Sequence, residues 1–194
     1  MLETIVDWSW IGLFLVISII RKWHEHRADQ PVSLKDTPVL EATLMLLWGL
    51  AAGVAPFIYI FSRWFDFADY PFTLPFFVRV IGILLFMLAI WLLHRSHVDL
   101  GKSWSSRVEP DSDRLVTDGI YTHIRHPMYL AHVVWGISQA LLFPNFLAGI
   151  SSLLLIALLL YLRIPREEQA MIQQFGDRYQ QYRERTGRIF PRLR

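Results

Sequence analysis

LAHVVWGISQALLFPNFLAGISSLLLIALLLYL, residues 130–162, holds no Asp, Glu, Lys or Arg, and only Pro144-Asn145 interrupts it. Crossing about 30 Å of hydrocarbon takes about 20 apolar residues in a helix. Leu130 to Phe143 and Phe146 to Leu162 therefore read as two antiparallel membrane helices joined by a tight turn, the first of them short unless Tyr129 and the residues before it extend it. Three more stretches of the same kind lie toward the N-terminus: Ile5 to Ile20, Val39 to Phe61 and Phe76 to Leu93. Pro56 falls inside the second of these, which bilayer helices tolerate. With 54% hydrophobic residues in a length of 194, the chain carries more apolar surface than a soluble domain of that size can hide. The expected fold is an all-α integral membrane protein with about five transmembrane helices. No linker or repeat divides it, so residues 1–194 read as a single membrane domain, with three helices in residues 1–93 and a core in residues 94–194 that holds the other two.

The charges are distributed unevenly along this frame. Of 19 Lys and Arg residues, four lie between Arg21 and Pro38, five between His94 and Met128, and eight from Arg163 onward, which leaves only Arg63 and Arg79 on the other side. Basic connections are retained in the cytoplasm, so the N-terminus is expected outside and the C-terminus inside. Glu3 precedes the first apolar run and Asp7 lies near its start, without a basic n-region or a small-residue cleavage site, so that run reads as a retained helix and not a signal peptide. The absence of cysteine excludes disulfides, thiolate metal sites, a thiol nucleophile and palmitoylation. Nothing in the pattern calls for a nucleic-acid partner.

Two polar stretches, both expected in the cytoplasm, hold most of the candidate chemistry. His94 to Pro127 is a long connection with a turn signal at Asp118-Gly119. Pro165 to about Thr186 reads as an amphipathic helix: Pro165 suits a first turn, Glu167 and Glu168 complement the dipole, and Ile172, Phe175, Tyr179 and Tyr182 share a face.

At Ile124-Arg125-His126-Pro127-Met128-Tyr129 the proline sets a helix start whose free N–H groups favour an anion. The same residues also read as a helix-start signal flanked by interfacial anchors. Arg163 ends a long aliphatic run and sits at the membrane boundary, where an ionisable group is costly unless paired or working. Glu167, four residues on, would share its face if the helix continued through Pro165. A snorkelling arginine followed by a dipole-capping glutamate pair is the alternative. His94 with His97, and His123 with His126, have the i, i+3 spacing of metal ligands. Pro127 argues against a helix at the second pair, however, and seven histidines without a third clustered box are few for a di-iron site, so no metal is expected. No glycine-rich turn follows a strand-like segment, which disfavours a soluble nucleotide fold.

The stretch from Leu100 to Pro191 resembles the isoprenylcysteine carboxyl methyltransferase family, in a prokaryotic-type integral membrane form. The resemblance is carried by Gly101-Lys102-Ser103-Trp104-Ser105, Leu115-Val116-Thr117-Asp118-Gly119-Ile120-Tyr121 and Arg125-His126-Pro127-Met128-Tyr129. It continues through Arg163, Glu167-Glu168, Phe175-Gly176-Asp177 with Tyr179 and Tyr182, and Thr186-Gly187 before Phe190-Pro191. Residues 1–93 are similar to the family mainly in being apolar helices. The resemblance implies S-adenosylmethionine as cofactor, S-adenosylhomocysteine as product, and esterification of a carboxylate on a prenylated cysteine. It implies a cofactor pocket closed by the C-terminal helix and lined by Glu109, Asp113, Arg114, Leu115 and Val116, with Tyr121 stacking nearby. His126, Pro127, Met128 and Tyr129 would hold the cofactor's amino acid part, and Glu167 would engage it from the fifth helix. Arg163 would bind the acceptor, so that Arg163 and Glu167 form the catalytic pair.

Methyl transfer to a carboxylate needs no general base, because the nucleophile is already ionised at neutral pH. What the site must do is hold oxygen and methyl carbon at near-attack distance without water, and an arginine suits that orientation. A phospholipid N-methyltransferase and a thiol methyltransferase are the near alternatives; a sterol-reductase-like NADPH enzyme and a non-catalytic membrane scaffold are more distant ones. A lipophilic acceptor is expected to enter from the bilayer, among membrane lipid, and the cofactor from the cytoplasm.

Overall fold

The computed structural model describes residues 2–26, 37–62, 64–101 and 114–192. Helix α1 spans Leu2–Glu25; α2 spans Val39–Gly49 and continues through a π-turn at Leu50–Val54 into α3, Ala55–Ser62. Helix α4 is Phe76–Leu100, α5 Pro127–Leu142, α6 Ser151–Phe175 after a π-turn at Phe146–Ile150, and α7 Asp177–Arg185. No strand forms among the described residues, which hold only two isolated bridges. Among the described residues four helices are long and apolar enough to cross a membrane: Glu3–Glu25, Val39–Ser62, Phe76–Leu100 and Phe146–Phe175. The protein is therefore an integral, multi-pass membrane protein.

Helix α5 has 16 residues, about 24 Å of rise against about 30 Å of hydrocarbon. It starts at Pro127 and packs between α4 and α6 along small residues. Ser138 Oγ donates to Gly82 O of α4 at 2.8 Å, and a Cβ on Gly136 would fall 2.8 Å from Leu153 Cα of α6. Close backbone approach of this kind is how helices associate where lipid removes the hydrophobic drive. Trp10 of α1, fully buried, stacks on Phe14 and meets Phe57 of α3 and Phe143 edge-on, while Trp8, Leu15 and Ile19 on its other faces are exposed toward lipid.

Pro56 sits where a hydrogen bond should form. In the π-turn Ala55 N–H bonds Leu50 O, five residues back; the next donor in that register would be Pro56, which has none. Ala51 O accepts instead from Gln139 Nε2 of α5 at 2.8 Å, and the same amide donates to Ala148 O at 2.7 Å. One side chain thus satisfies carbonyls in both π-turns.

The five helical segments run alternately between two ends. At one end Glu3 pairs with Arg79 at 3.8 Å, and Asp69 bridges to Asn145. At the other lie His24 against His94 (3.3 Å), Glu41 against Arg166, and the start of α5 against the C-terminal segment. The expected amphipathic helix from Pro165 to Thr186 is corrected: α6 passes through Pro165 without a break and ends at Phe175, where Gly176 takes φ 55°, and α7 begins at Asp177. A proline inside a helix removes one donor, a loss that membrane helices accommodate, whereas the positive φ of Gly176 ends the helix outright. Phe146–Phe175 is 30 residues long, about 45 Å, so its last turns stand clear of the hydrocarbon.

Candidate functional site

The start of α5 is built against the C-terminal segment. Arg125 N donates to Gly187 O (2.9 Å), His126 N to Arg188 O (3.0 Å) and Gly187 N to His123 O (3.2 Å), making a short parallel bridge. Gly187 is required there, since a Cβ would lie 1.8 Å from Phe190 O. Arg125 locks the join from beneath: Nε and Nη2 donate to Glu168 Oε1 at 3.0 and 2.7 Å, and Nη1 donates to Arg183 O and Thr186 O. Arg188 Nη2 meets Glu168 Oε2 at 2.7 Å. Glu168, buried between two guanidinium groups, is the clasp that holds the C-terminal segment over α5.

Its neighbour Glu167 points elsewhere, because adjacent residues on a helix are separated by about 100°. The continuity of α6 through Pro165 puts Arg163 and Glu167 on one face, and Arg163 Nε donates to Glu167 Oε1 at 2.8 Å and to Tyr129 Oη at 2.9 Å. Tyr129 Oη in turn donates to Glu167 Oε1. His126 stacks on the Tyr129 ring at 5.5 Å and 11°, with Nδ1 3.7 Å from Glu167 Oε2. Its Nε2 is buried 3.5 Å from Glu168 Oε1 and forms no hydrogen bond. On the far edge of the Arg163 guanidinium, Nη1 faces Met45 Sδ at 3.7 Å and Glu41 Oε2 at 3.8 Å.

Residues 114–122 form a second wall. Gly119 has φ 58°, and a Cβ there would fall 2.2 Å from Asp99 Oδ2 of α4, the atom that accepts from Ile120 N at 2.7 Å. Asp99 is fixed by Arg95 at 2.9 Å. This turn buries Tyr121, whose carbonyl accepts from Tyr182 Oη of α7 at 2.6 Å. Burial pushes the Tyr121 phenol well above its ordinary range, with Tyr182, Asp99 and Glu167 adding to the shift. Tyr179 is raised by burial and then by Glu168, and Tyr182 by burial and then by Tyr179, so all three stay neutral donors.

Of the residues singled out from sequence, His126, Tyr129, Arg163 and Glu167 form one bonded cluster, with Pro127 and Met128 in the first turn of the helix that carries it. Tyr121 lies within electrostatic reach of Glu167. Val116 is buried, Leu115 half-buried, and Arg114 is exposed and reaches Asp118 at 3.4 Å. Glu109 and Asp113 lie outside the described residues. Among the described residues no group of three His, Cys, Asp or Glu is arranged to hold a metal ion. Sequence reasoning missed Glu41 and Asp99. An ionisable residue opening an apolar run was the available signal for Glu41; Asp99 gave none.

A family model described as the isoprenylcysteine carboxyl methyltransferase (ICMT) family matches residues 78–173, which include the whole bonded cluster. A Schizosaccharomyces pombe protein named protein-S-isoprenylcysteine O-methyltransferase is 34% identical over 99 residues, 50% of this chain and 42% of that protein. A Homo sapiens protein of the same name is 28% identical over 112 residues, 56% of this chain and 39% of its own length. The chain thus spans less than half the length of these two relatives. A solved structure titled as the eukaryotic intramembrane Ras methyltransferase ICMT shares the fold, with a TM-score of 0.56 and 21% identity over 94% of this chain and 62% of that one.

Proposed function

The chain belongs to the isoprenylcysteine carboxyl methyltransferase family, and on that premise we propose that it is an S-adenosylmethionine-dependent enzyme that methylates a carboxylate on a lipophilic, prenylcysteine-like acceptor. The observation that carries this reading is the buried Arg163 guanidinium. Its Nε edge is bound to Glu167 and Tyr129, and its Nη1 edge faces the membrane helix α2. A guanidinium held rigidly on one side can orient a carboxylate on the other.

The residues at the start of α5 fit a polar cofactor with a charged amino acid part. His126 Nε2 is a buried nitrogen with no hydrogen bond, and Glu167 Oε2, 3.7 Å from Nδ1 on the other side of the ring, can meet an ammonium group. His126, Met128, Tyr129 and Glu167 would hold that part, with Tyr121 and residues 114–116 forming the wall toward α4. When bound, such a cofactor would supply an electrophilic methyl group on a sulfonium to an acceptor oxygen oriented by Arg163. No proton moves, so the chain needs no base. Arg163 holds the oxygen in line, Glu167 and Tyr129 hold Arg163, and the Glu168 clasp keeps the C-terminal segment over the site against water. The end at which the start of α5 meets the C-terminal segment is assigned to the cytoplasm by the retention of basic segments there.

The test is incubation of the purified protein in bilayer mimics with methyl-labelled S-adenosylmethionine and an N-blocked prenylcysteine. Base-labile label on the prenylcysteine is the expected result. Base-stable label on a phospholipid amine would make the chain an N-methyltransferase instead, and no transfer together with saturable NADPH binding would make it a reductase.

A further inference from the structure

Glu41 stands on the first turn of α2, 2% exposed, at the point where an apolar membrane span begins. Its two oxygens are treated differently. Oε1 accepts from Arg166 Nη1 of α6, a side chain that is itself 42% exposed. Oε2 is buried, has no hydrogen bond, and lies 3.8 Å from Arg163 Nη1. That separation is an ion pair but too long for a hydrogen bond. A buried carboxylate oxygen left without a donor is costly, and the cation it faces is the one assigned to the acceptor.

Resting on the methyl-transfer reading, we propose that the Glu41 carboxylate is a built-in competitor for the acceptor carboxylate, which stands against Arg163 before substrate binds and withdraws onto Arg166 when substrate arrives. The Nε edge of Arg163 already serves Glu167 and Tyr129, so an incoming carboxylate must approach the Nη1 edge, which Glu41 faces. Two carboxylates cannot share that edge without repulsion, and Arg166, with one foot in water, can hold Glu41 in either position. Methylation then removes the acceptor's charge. The neutral ester loses its hold on Arg163 while Glu41 keeps its own, so Glu41 favours departure of product over departure of substrate. It thereby sets both the affinity for the acid and the release of the ester.

The experiment is steady-state kinetics with N-blocked prenylcysteine and its methyl ester on Glu41→Gln, Arg166→Gln and the double variant. Glu41→Gln keeps the shape of the side chain and removes its charge. It is expected to lower the KM for the acid by about fivefold, the scale of one partly buried charge interaction, and to strengthen inhibition by the ester. Arg166→Gln leaves Glu41 nothing to withdraw onto and is expected to raise KM, an effect that should vanish in the Glu41→Gln background. An unchanged or higher KM in Glu41→Gln with a lower kcat would mean that Glu41 only steadies Arg163, and would overturn the proposal. A rise in KM from Arg166→Gln that persists without Glu41 would also overturn it, since Arg166 would then act as a plain cation. Ester formation by the unaltered chain separates these failures from failure of the methyl-transfer reading itself, which would take both down.

Discussion

Two buried polar sites at opposite ends of the helix bundle, Asn145 and the cluster around Arg163, satisfy their groups to different degrees. At the end around Asn145, one amide satisfies everything it touches: its Nδ2 donates to Phe65 O and Asp69 Oδ1, and its Oδ1 accepts from Leu147 N and Ala148 N, all between 2.7 and 2.9 Å. Asn145 is completely buried, and its side chain has no unused hydrogen-bonding capacity. At the opposite end the buried groups are charged, and the network stops short of completion at His126 Nε2 and Glu41 Oε2. A closed network around one amide fixes a turn. An open network of charges in a dry place is kept in balance by whatever binds there, and these two open atoms flank Arg163 and Glu167 from either side.

The contrast can be broken by experiment. The largest expected effect is at Glu168: replacement by Ala leaves Arg125, itself only 8% exposed, without its carboxylate, and removing one partner of a buried pair costs about 3–5 kcal/mol. Thermal unfolding in detergent should show that loss, with release of the C-terminal segment to proteolysis; an unaltered melting temperature would remove Glu168 from its role as clasp. Next is Arg163→Lys, which keeps the charge but not the planar fork. Turnover is expected to fall by about 100-fold, as for the loss of one well-placed donor, with the fold intact and affinity for S-adenosylhomocysteine within a few-fold. Retention of full turnover would mean that charge alone suffices. The smallest is Asn145→Ala at the other end, expected to cost about 2 kcal/mol of stability while turnover per folded molecule stays the same. If turnover falls with it, the two ends are coupled and the contrast drawn above fails.

Apolar run lengths were enough to find the four helices long and apolar enough to span among the described residues, and the Pro144-Asn145 turn read correctly as a join between two helices, because both depend only on local composition. Pro165 misled the reading of α6. The residue is acceptable at a helix start and inside a membrane helix, and only packing on both sides decides between them. The resemblance gathered Arg163, Glu167 and His126 to Tyr129 into one expected site, and the structure does bring these side chains together. Read as dipole-capping acids Glu167 and Glu168 looked alike, and only the continuation of α6 through Pro165 parts them by helix rotation. Glu41 stayed hidden because its partner Arg166 is 125 residues away, a distance over which no local pattern carries information.

The amide of Gln139 has a consequence for biogenesis. Ala51 O must wait for a donor that lies 88 residues downstream. Ribosomes add about 5–20 residues per second, so the α2–α3 segment stands in the bilayer with an unfilled carbonyl for about 4–18 s before α5 can exist. During that interval the newborn helix carries a penalty of about 1–3 kcal/mol, which only the arrival of its later neighbour removes. Pro56 thus leaves the hydrogen bonding of α2–α3 to be completed by a helix made later, and the order of synthesis, not the final contacts, sets how long that takes.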